Sequence, residues 1–204
     1  MDTKNLYGLV LCGGNSSRMG VDKSRLHYHG IQQRFYVHQL LSKFCQHTFI
    51  SYNAQQATDI DLGYEVIVDD NTFADNGPIS GLLSAFQRFP THDFFVVGCD
   101  YPFINNIEIS HFLESIPVNS QAAAFYNEEC DCYEPVLAWY SHRAGVWLKQ
   151  YFDEGKTSLQ RFLHKHDAFR YVPGNVAAMR SIDSYDKYLQ VMKENGRLFN
   201  ASKE

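Results

Sequence analysis

The sequence predicts an α/β fold, on three observations. Short apolar runs of strand length alternate with stretches whose apolar residues follow helical spacing. One run, Phe94-Phe-Val-Val97, is continuously apolar, as expected of a central strand covered on both faces. Several of these runs stop at Gly-Gly, Asn or Asp, which places small or polar residues at the carboxyl edge, where open α/β sheets bind ligands.

Taken in order, Tyr7-Gly-Leu-Val-Leu11 reads as a buried strand that breaks at Gly13-Gly14. Leu26 to Ile31 fits a short extended segment turning at Gly30, and Gln33 to Phe44 has mostly helical spacing. Thr48-Phe-Ile-Ser-Tyr52 is a second strand ending at Asn53, and Gln55 to Leu62 reads as a short helix or loop. Glu65-Val-Ile-Val68 is a third strand, stopped by Asp69-Asp70. Gly77-Pro-Ile-Ser-Gly81 opens a helix over Leu82 to Phe86, with Pro78 where its missing N–H is not needed. The Phe94–Val97 strand runs into Gly98-Cys-Asp-Tyr-Pro-Phe103. Beyond it come a helix over Ile107 to Ile116, strands at Ala122 to Phe125 and Glu134 to Tyr140, and helices at Ala144 to Phe152, after Thr157 or Ser158, and from Tyr185 to Lys193.

Composition narrows the function classes. The 204 residues suit a single domain over 1–204, and 45% hydrophobic with 20% charged is a globular balance. A net charge of −5 argues against nonspecific nucleic-acid binding, while leaving room for a nucleotide held by a few local cations. No apolar stretch reaches membrane-span length and no signal-peptide pattern opens the chain. The five scattered cysteines suit a reducing cytoplasm better than a disulfide framework. Cys130-Asp-Cys132 lacks the second pair that a zinc site needs.

The chemistry concentrates at the strand ends. Gly13-Gly14 lets backbone pass close to a ligand, and free N–H groups in such a turn form an anion-binding concavity. Arg18 and Lys23 add two fixed positive charges beyond it. Neither Gly-x-x-x-x-Gly-Lys-Ser/Thr nor Gly-x-Gly-x-x-Gly is present, so this is not one of the common phosphate loops. Asn53 is either a turn former or a ligand contact at the sheet edge. Of Asp69 and Asp70, Asp69 fits the strand phase better. Gly77 permits close approach of ligand or backbone. Asp100, at the end of the most hydrophobic strand and shortly before Pro102, is either a turn residue or a carboxylate for a hard cation such as Mg²⁺, which takes one or two carboxylates plus substrate phosphates.

Leu11-Cys-Gly-Gly-Asn-Ser-Ser-Arg-Met-Gly-Val-Asp-Lys23 resembles the signature of the molybdenum cofactor guanylyltransferases, within the Rossmann-like nucleotidyltransferases. Gly77-Pro-Ile-Ser-Gly81 and Cys99-Asp-Tyr-Pro-Phe103 resemble two further motifs of that family. The resemblance implies a three-layer α/β/α domain with a mostly parallel sheet. It also implies transfer of GMP from GTP to the terminal phosphate of molybdopterin or its molybdenum-loaded form, with Mg²⁺ and release of pyrophosphate. It implies that Leu11, Cys12 and Gly13 line the base pocket and that Gly13 and Gly14 hold the triphosphate with Arg18 and Lys23. Asn53, with Asp69 or Asp70, would complete nucleoside recognition, and Asp100 would bind magnesium. The implied partners extend to molybdoenzyme apoproteins or cofactor chaperones, with no nucleic acid and no membrane, in the cytoplasm. Where the family carries Asn-x-Asn-Thr-Pro-x-Asp, this chain has Arg180-Ser-Ile-Asp-Ser-Tyr-Asp186, with Ser181 and Asp183 in place of the two amides and Tyr185 in place of Pro. Asp183 there is either a second magnesium ligand or the N-cap of the last helix. Two rivals stand beside this reading: a cytidylyl or sugar-phosphate nucleotidyltransferase of the same fold, and a binding protein that holds nucleotide or cofactor without turnover.

Overall fold

The computed structural model describes residues 5–12, 22–53 and 63–201. Among them, seven strands form one sheet. The strands are β1 (Leu6–Leu11), β2 (His47–Tyr52), β3 (Glu65–Val68), β4 (Asp93–Gly98), β5 (Ala122–Asn127), β6 (Cys132–Tyr140) and β7 (Phe169–Tyr171). The helices are α1 (Gln33–Leu41), α2 (Pro78–Arg88), α3 (Asn106–Ser115), α4 (His142–Asp153), α5 (Leu159–Lys165) and α6 (Tyr185–Ala201). The order across the sheet is β3-β2-β1-β4-β6-β5-β7. Every adjacent pair is parallel except those made by β6, which runs antiparallel to both β4 and β5.

The period-2 alternation of the strands sorts their side chains into two cores. Leu9, Leu11, Phe49, Phe94, Val96 and Ala138 face one way, onto α2, α4 and α5. Val10, Ile50, Phe95, Val97, Leu137 and Trp139 face the other, onto α1 and α3. Both faces of β4 are therefore covered, which is why Phe94–Val97 carries no polar residue. A smaller cluster of Leu26, Tyr28, Ile182 and Val191 ties the stretch after residue 22 to α6.

Element ends differ from the sequence reading in physically legible ways. α1 stops at Leu41 rather than Phe44, because the Ser42 hydroxyl donates to His38 O and residues 42–44 turn. α2 begins at Pro78, so Gly81 lies within its first turn. α6 runs past Lys193 to Ala201. Of the two cap candidates for α5 it is Ser158 whose hydroxyl accepts from Arg161 N–H. The N-cap of α6 is Ser184, not Asp183. It directly precedes Tyr185, and its hydroxyl accepts the Lys187 N–H at 3.4 Å. Cys130 and Cys132, which the sequence reading left unpaired, are joined by a disulfide across the β5–β6 turn, where the hairpin brings their Cα atoms to 5.3 Å. The segment from Gln55 to Leu62 lies outside the described residues.

Candidate active site

The strand order creates the site. From β1 the chain moves outward through β2 and β3, then returns to lay β4 on the other side of β1. Parallel neighbours whose connections depart in opposite directions leave a crevice at their carboxyl ends. Here that crevice lies between Leu11-Cys12 and Gly98-Cys99-Asp100.

The strand ends stay bonded past their last ladder pair. Cys99 N–H donates to Leu11 O at 3.1 Å and Cys12 N–H donates to Ser51 O at 3.3 Å. The Cys12 side chain is buried and its Sγ lies 3.4 Å from Cys99 Sγ, within the layer. Gly13, Gly14 and Arg18 lie outside the described residues. Lys23 begins a short 3-10 turn, Lys23–Arg25, which Asp22 caps. Asp22 Oδ1 accepts from the Ser24 N–H at 2.9 Å and from the Ser24 hydroxyl at 2.7 Å. Adjacent Asp22 and Lys23 thus divide the work: the acid shapes the turn, and the base lies close enough to act on the charges of Asp100 and Asp183.

Burial pushes the Asp100 carboxyl above its ordinary value, and the nearby Lys23 ammonium pulls it back down. Asp183 is close enough to push it up again. Its own carboxylate is held by Lys187 Nζ at 2.7 Å, which keeps the Asp183 carboxyl below the usual range. The main chain links the two stretches, with Ile182 N–H donating to Asp100 O at 2.8 Å.

On the β2–β3 side, half-buried Asn53 ends β2. Asp69 and Asp70 part company. Asp69 lies against the first turn of α2 and the ends of β1 and β2. A Cβ on Gly81 would fall 2.5 Å from Ser51 Oγ, 2.8 Å from Leu11 Cδ2 and 3.4 Å from Asp69 Oδ1. The Ser51 hydroxyl donates to Asp69 Oδ1 at 3.4 Å, and burial raises the Asp69 carboxyl to about 6. Asp70 belongs to the loop: its carboxylate accepts from Thr72 N–H at 2.8 Å and from the Gln87 amide at 2.9 Å. These bonds, Thr72 foremost, hold it below the ordinary carboxyl value. Gly77 adopts φ +74°, a conformation glycine enters without strain, as α2 begins.

Two contacts at this edge had no signal in the sequence. The Tyr101 hydroxyl donates to Glu134 Oε2 at 2.5 Å, from the loop after β4 to β6. His29 donates to Pro102 O at 2.8 Å while stacking on Tyr36 at 3.7 Å between ring centroids. The partners lie 33 and 73 residues apart, beyond any local pattern.

A cationic side chain close to a half-buried carboxylate, at a crevice of backbone ends, suits a polyphosphate accompanied by a hard cation. Among the described residues no three His, Cys, Asp or Glu side chains converge on one point. Among the described residues, the carboxylates this end of the crevice offers a cation include Asp100 and the nearby Asp183, the latter paired with Lys187. That donor set fits Mg²⁺, which fills its remaining positions with water and substrate phosphates. Among the described residues no helix is long and apolar enough to cross a membrane.

Residues 8–169 match the MobA-like NTP transferase domain. A molybdenum cofactor guanylyltransferase of Histophilus somni (strain 129Pt) is 28% identical over 91% of this chain and 97% of its own length. A molybdenum cofactor biosynthesis bifunctional protein of Synechocystis is 28% identical over 91% of this chain, which spans 53% of that relative. Among solved structures, molybdopterin-guanine dinucleotide biosynthesis protein A from Archaeoglobus fulgidus superposes with a TM-score of 0.76 at 21% identity, over 94% of this chain and 99% of that one. At that identity the likeness carries the three-layer, mostly parallel fold.

Proposed function

The chain belongs to the family of the MobA-like NTP transferase domain, and from that premise we propose that it transfers GMP from GTP to the terminal phosphate of molybdopterin, in the cytoplasm, releasing pyrophosphate. The observation that carries this reading is Asp100 at the switch point, with Lys23 close enough to act on its charge.

The reaction asks little of acid–base groups. An acceptor phosphate oxygen is already a nucleophile; it attacks the α-phosphorus, the bond to the β-phosphate bridging oxygen breaks, and that oxygen leaves on pyrophosphate. Positioning and charge neutralisation supply the rate. Lys23, with Arg18 and the backbone of Gly13 and Gly14, holds the triphosphate. Asn53 and Asp69 hold the nucleoside. Ionised Asp69 accepts hydrogen bonds and suits the adjacent N–H donors on the guanine edge, a pair that cytosine does not present. Leu11 and Cys12 set the floor beneath the base. Asp100, with Asp183 nearby, would hold the Mg²⁺. When bound, that ion supplies Lewis-acid neutralisation of charge on the phosphoryl oxygens. Ile182 N–H, by bonding Asp100 O, keeps the 181–183 segment beside Asp100.

The test is turnover with purified protein, molybdopterin, Mg²⁺ and each of GTP, CTP, ATP and UTP, read as pyrophosphate release and dinucleotide formation. Release with GTP alone supports the proposal. Release with CTP instead moves the chain to the cytidylyl branch. Stabilisation by a nucleotide with no pyrophosphate release makes it a binding protein.

A further inference from the structure

The loop that carries Asp100 is held from four directions. Cys99 N–H is bonded to β1 through Leu11 O, Asp100 O to the segment before α6 through Ile182 N–H, and Pro102 O to the turn before α1 through His29. The fourth tether joins side chain to side chain: the Tyr101 hydroxyl donates to Glu134 Oε2 at 2.5 Å. β6 runs antiparallel to β4 with Val97 opposite Leu137. Glu134 lies three residues before Leu137 on the same strand, close enough to Asp100 for the two charges to interact. Tyr101 is 4% exposed, so its ring is locked in the core, and Pro102 confines its backbone to extended geometry. A residue fixed at ring, backbone and hydroxyl leaves its neighbour Asp100 little freedom. A charge-assisted bond of this length is of the strong kind.

We propose that Glu134 and Tyr101 form a positioning pair that sets where the Asp100 carboxylate points, acting on the reaction through Asp100 and not by touching substrate. This rests on the nucleotidyl-transfer reading above. It makes two demands. Geometry matters more than charge at 134, because what Tyr101 needs is an acceptor oxygen at the right reach. The two residues also act as one unit, so losing either costs as much as losing both.

The experiment uses full-length wild type, Glu134→Ala, Glu134→Gln, Glu134→Asp, Tyr101→Phe and the Tyr101→Phe/Glu134→Ala double variant. Glu134→Ala and Tyr101→Phe are expected to lower kcat by on the order of tenfold to a hundredfold, the scale of a misplaced catalytic group, with KM for GTP changed less than about twofold. The double variant should lose no more than either single one. Glu134→Gln, which keeps an acceptor at the same reach, should restore most of kcat. Glu134→Asp, which keeps the charge but withdraws it by one methylene, should not. A second readout does not depend on turnover: the extra thermal stabilisation by GTP when Mg²⁺ replaces EDTA. That increment should shrink in Glu134→Ala, Tyr101→Phe and the double variant, while stabilisation by GTP in EDTA persists.

Additive losses, or recovery with Glu134→Asp but not Glu134→Gln, overturn the proposal, the latter by making Glu134 a charge in the site. Lower stability with unchanged kcat and unchanged Mg²⁺ increment also overturns it, reducing the pair to a core contact. If wild type shows no turnover with any nucleotide, the transfer reading fails, and the Mg²⁺ increment still decides the positioning claim.

Discussion

Replacing Asp69 by Asn separates stability from binding at one residue. Burial raises the Asp69 carboxyl from 3.8 to about 6. An acid whose folded value lies above its unfolded one is penalised when ionised. The penalty is complete above about pH 6, shrinks as pH falls through that value, and is gone below 3.8, where folded and unfolded chains are both protonated. At 1.36 kcal/mol per tenfold, the interval from 3.8 to about 6 corresponds to about 3 kcal/mol. Asp69 is only partly buried and keeps a Ser51 hydroxyl at 3.4 Å, so the recoverable part is about 1–3 kcal/mol. Asn keeps the shape and an acceptor for Ser51 without the charge. Asp69→Asn should therefore stabilise the unliganded protein by about 1–3 kcal/mol at pH 8, and by roughly a third of that near pH 4.5. Urea unfolding of both proteins at pH 8, 6 and 4.5 measures the difference, which cancels every other titrating group. Saturating GTP should narrow or reverse the gap, because the ligand favours the carboxylate. An Asp69→Asn gain that does not change with pH, or a loss at pH 8, would refute the reasoning.

Other outcomes follow from single contacts. Asp100→Ala should lower pyrophosphate release by on the order of a hundredfold to a thousandfold. Its melting temperature should not fall, since the change removes a desolvated carboxylate; full retained activity would end the metal assignment. Gly145→Ala would set a Cβ 2.6 Å from the Phe86 ring where α4 meets α2, and should cost about 1–3 kcal/mol in denaturant unfolding. Asn105 accepts from both Ile107 and Glu108 N–H as the cap of α3, so Asn105→Ala should lower stability by about 1 kcal/mol, read in the urea midpoint, with little change in kcat.

Much of the candidate site is local and therefore legible in the chain alone. An apolar run that stops at Gly-Gly or at Cys-Asp-x-Pro declares a strand and its edge within a few residues. Leu11, Lys23 and Asp100 could accordingly be named from the signature string and the strand ends. The choice between Asp69 and Asp70 could not be made that way. Strand phase leaned to Asp69 without deciding it; the structure adds that Thr72 and Gln87 hold the Asp70 carboxylate in the loop, while Asp69 lies against Ser51 and α2. Asp183 likewise waited on α6. Ser184 takes the cap and Lys187 takes the carboxylate, yet Ile182 still brings the segment to Asp100.

By itself the sequence determined the apolar strand runs, the helices between them and the polar residues that stop each strand, because these depend on spacing and residue type over one or two turns. Tertiary structure alone decided that β4 lies beside β1, that β6 enters antiparallel, and that His29 meets Pro102 and Glu134 meets Tyr101. Strand order is a property of how both helical layers bury their apolar faces at once. No local window holds that information, and the residues that steady Asp100 come together only when the whole sheet does.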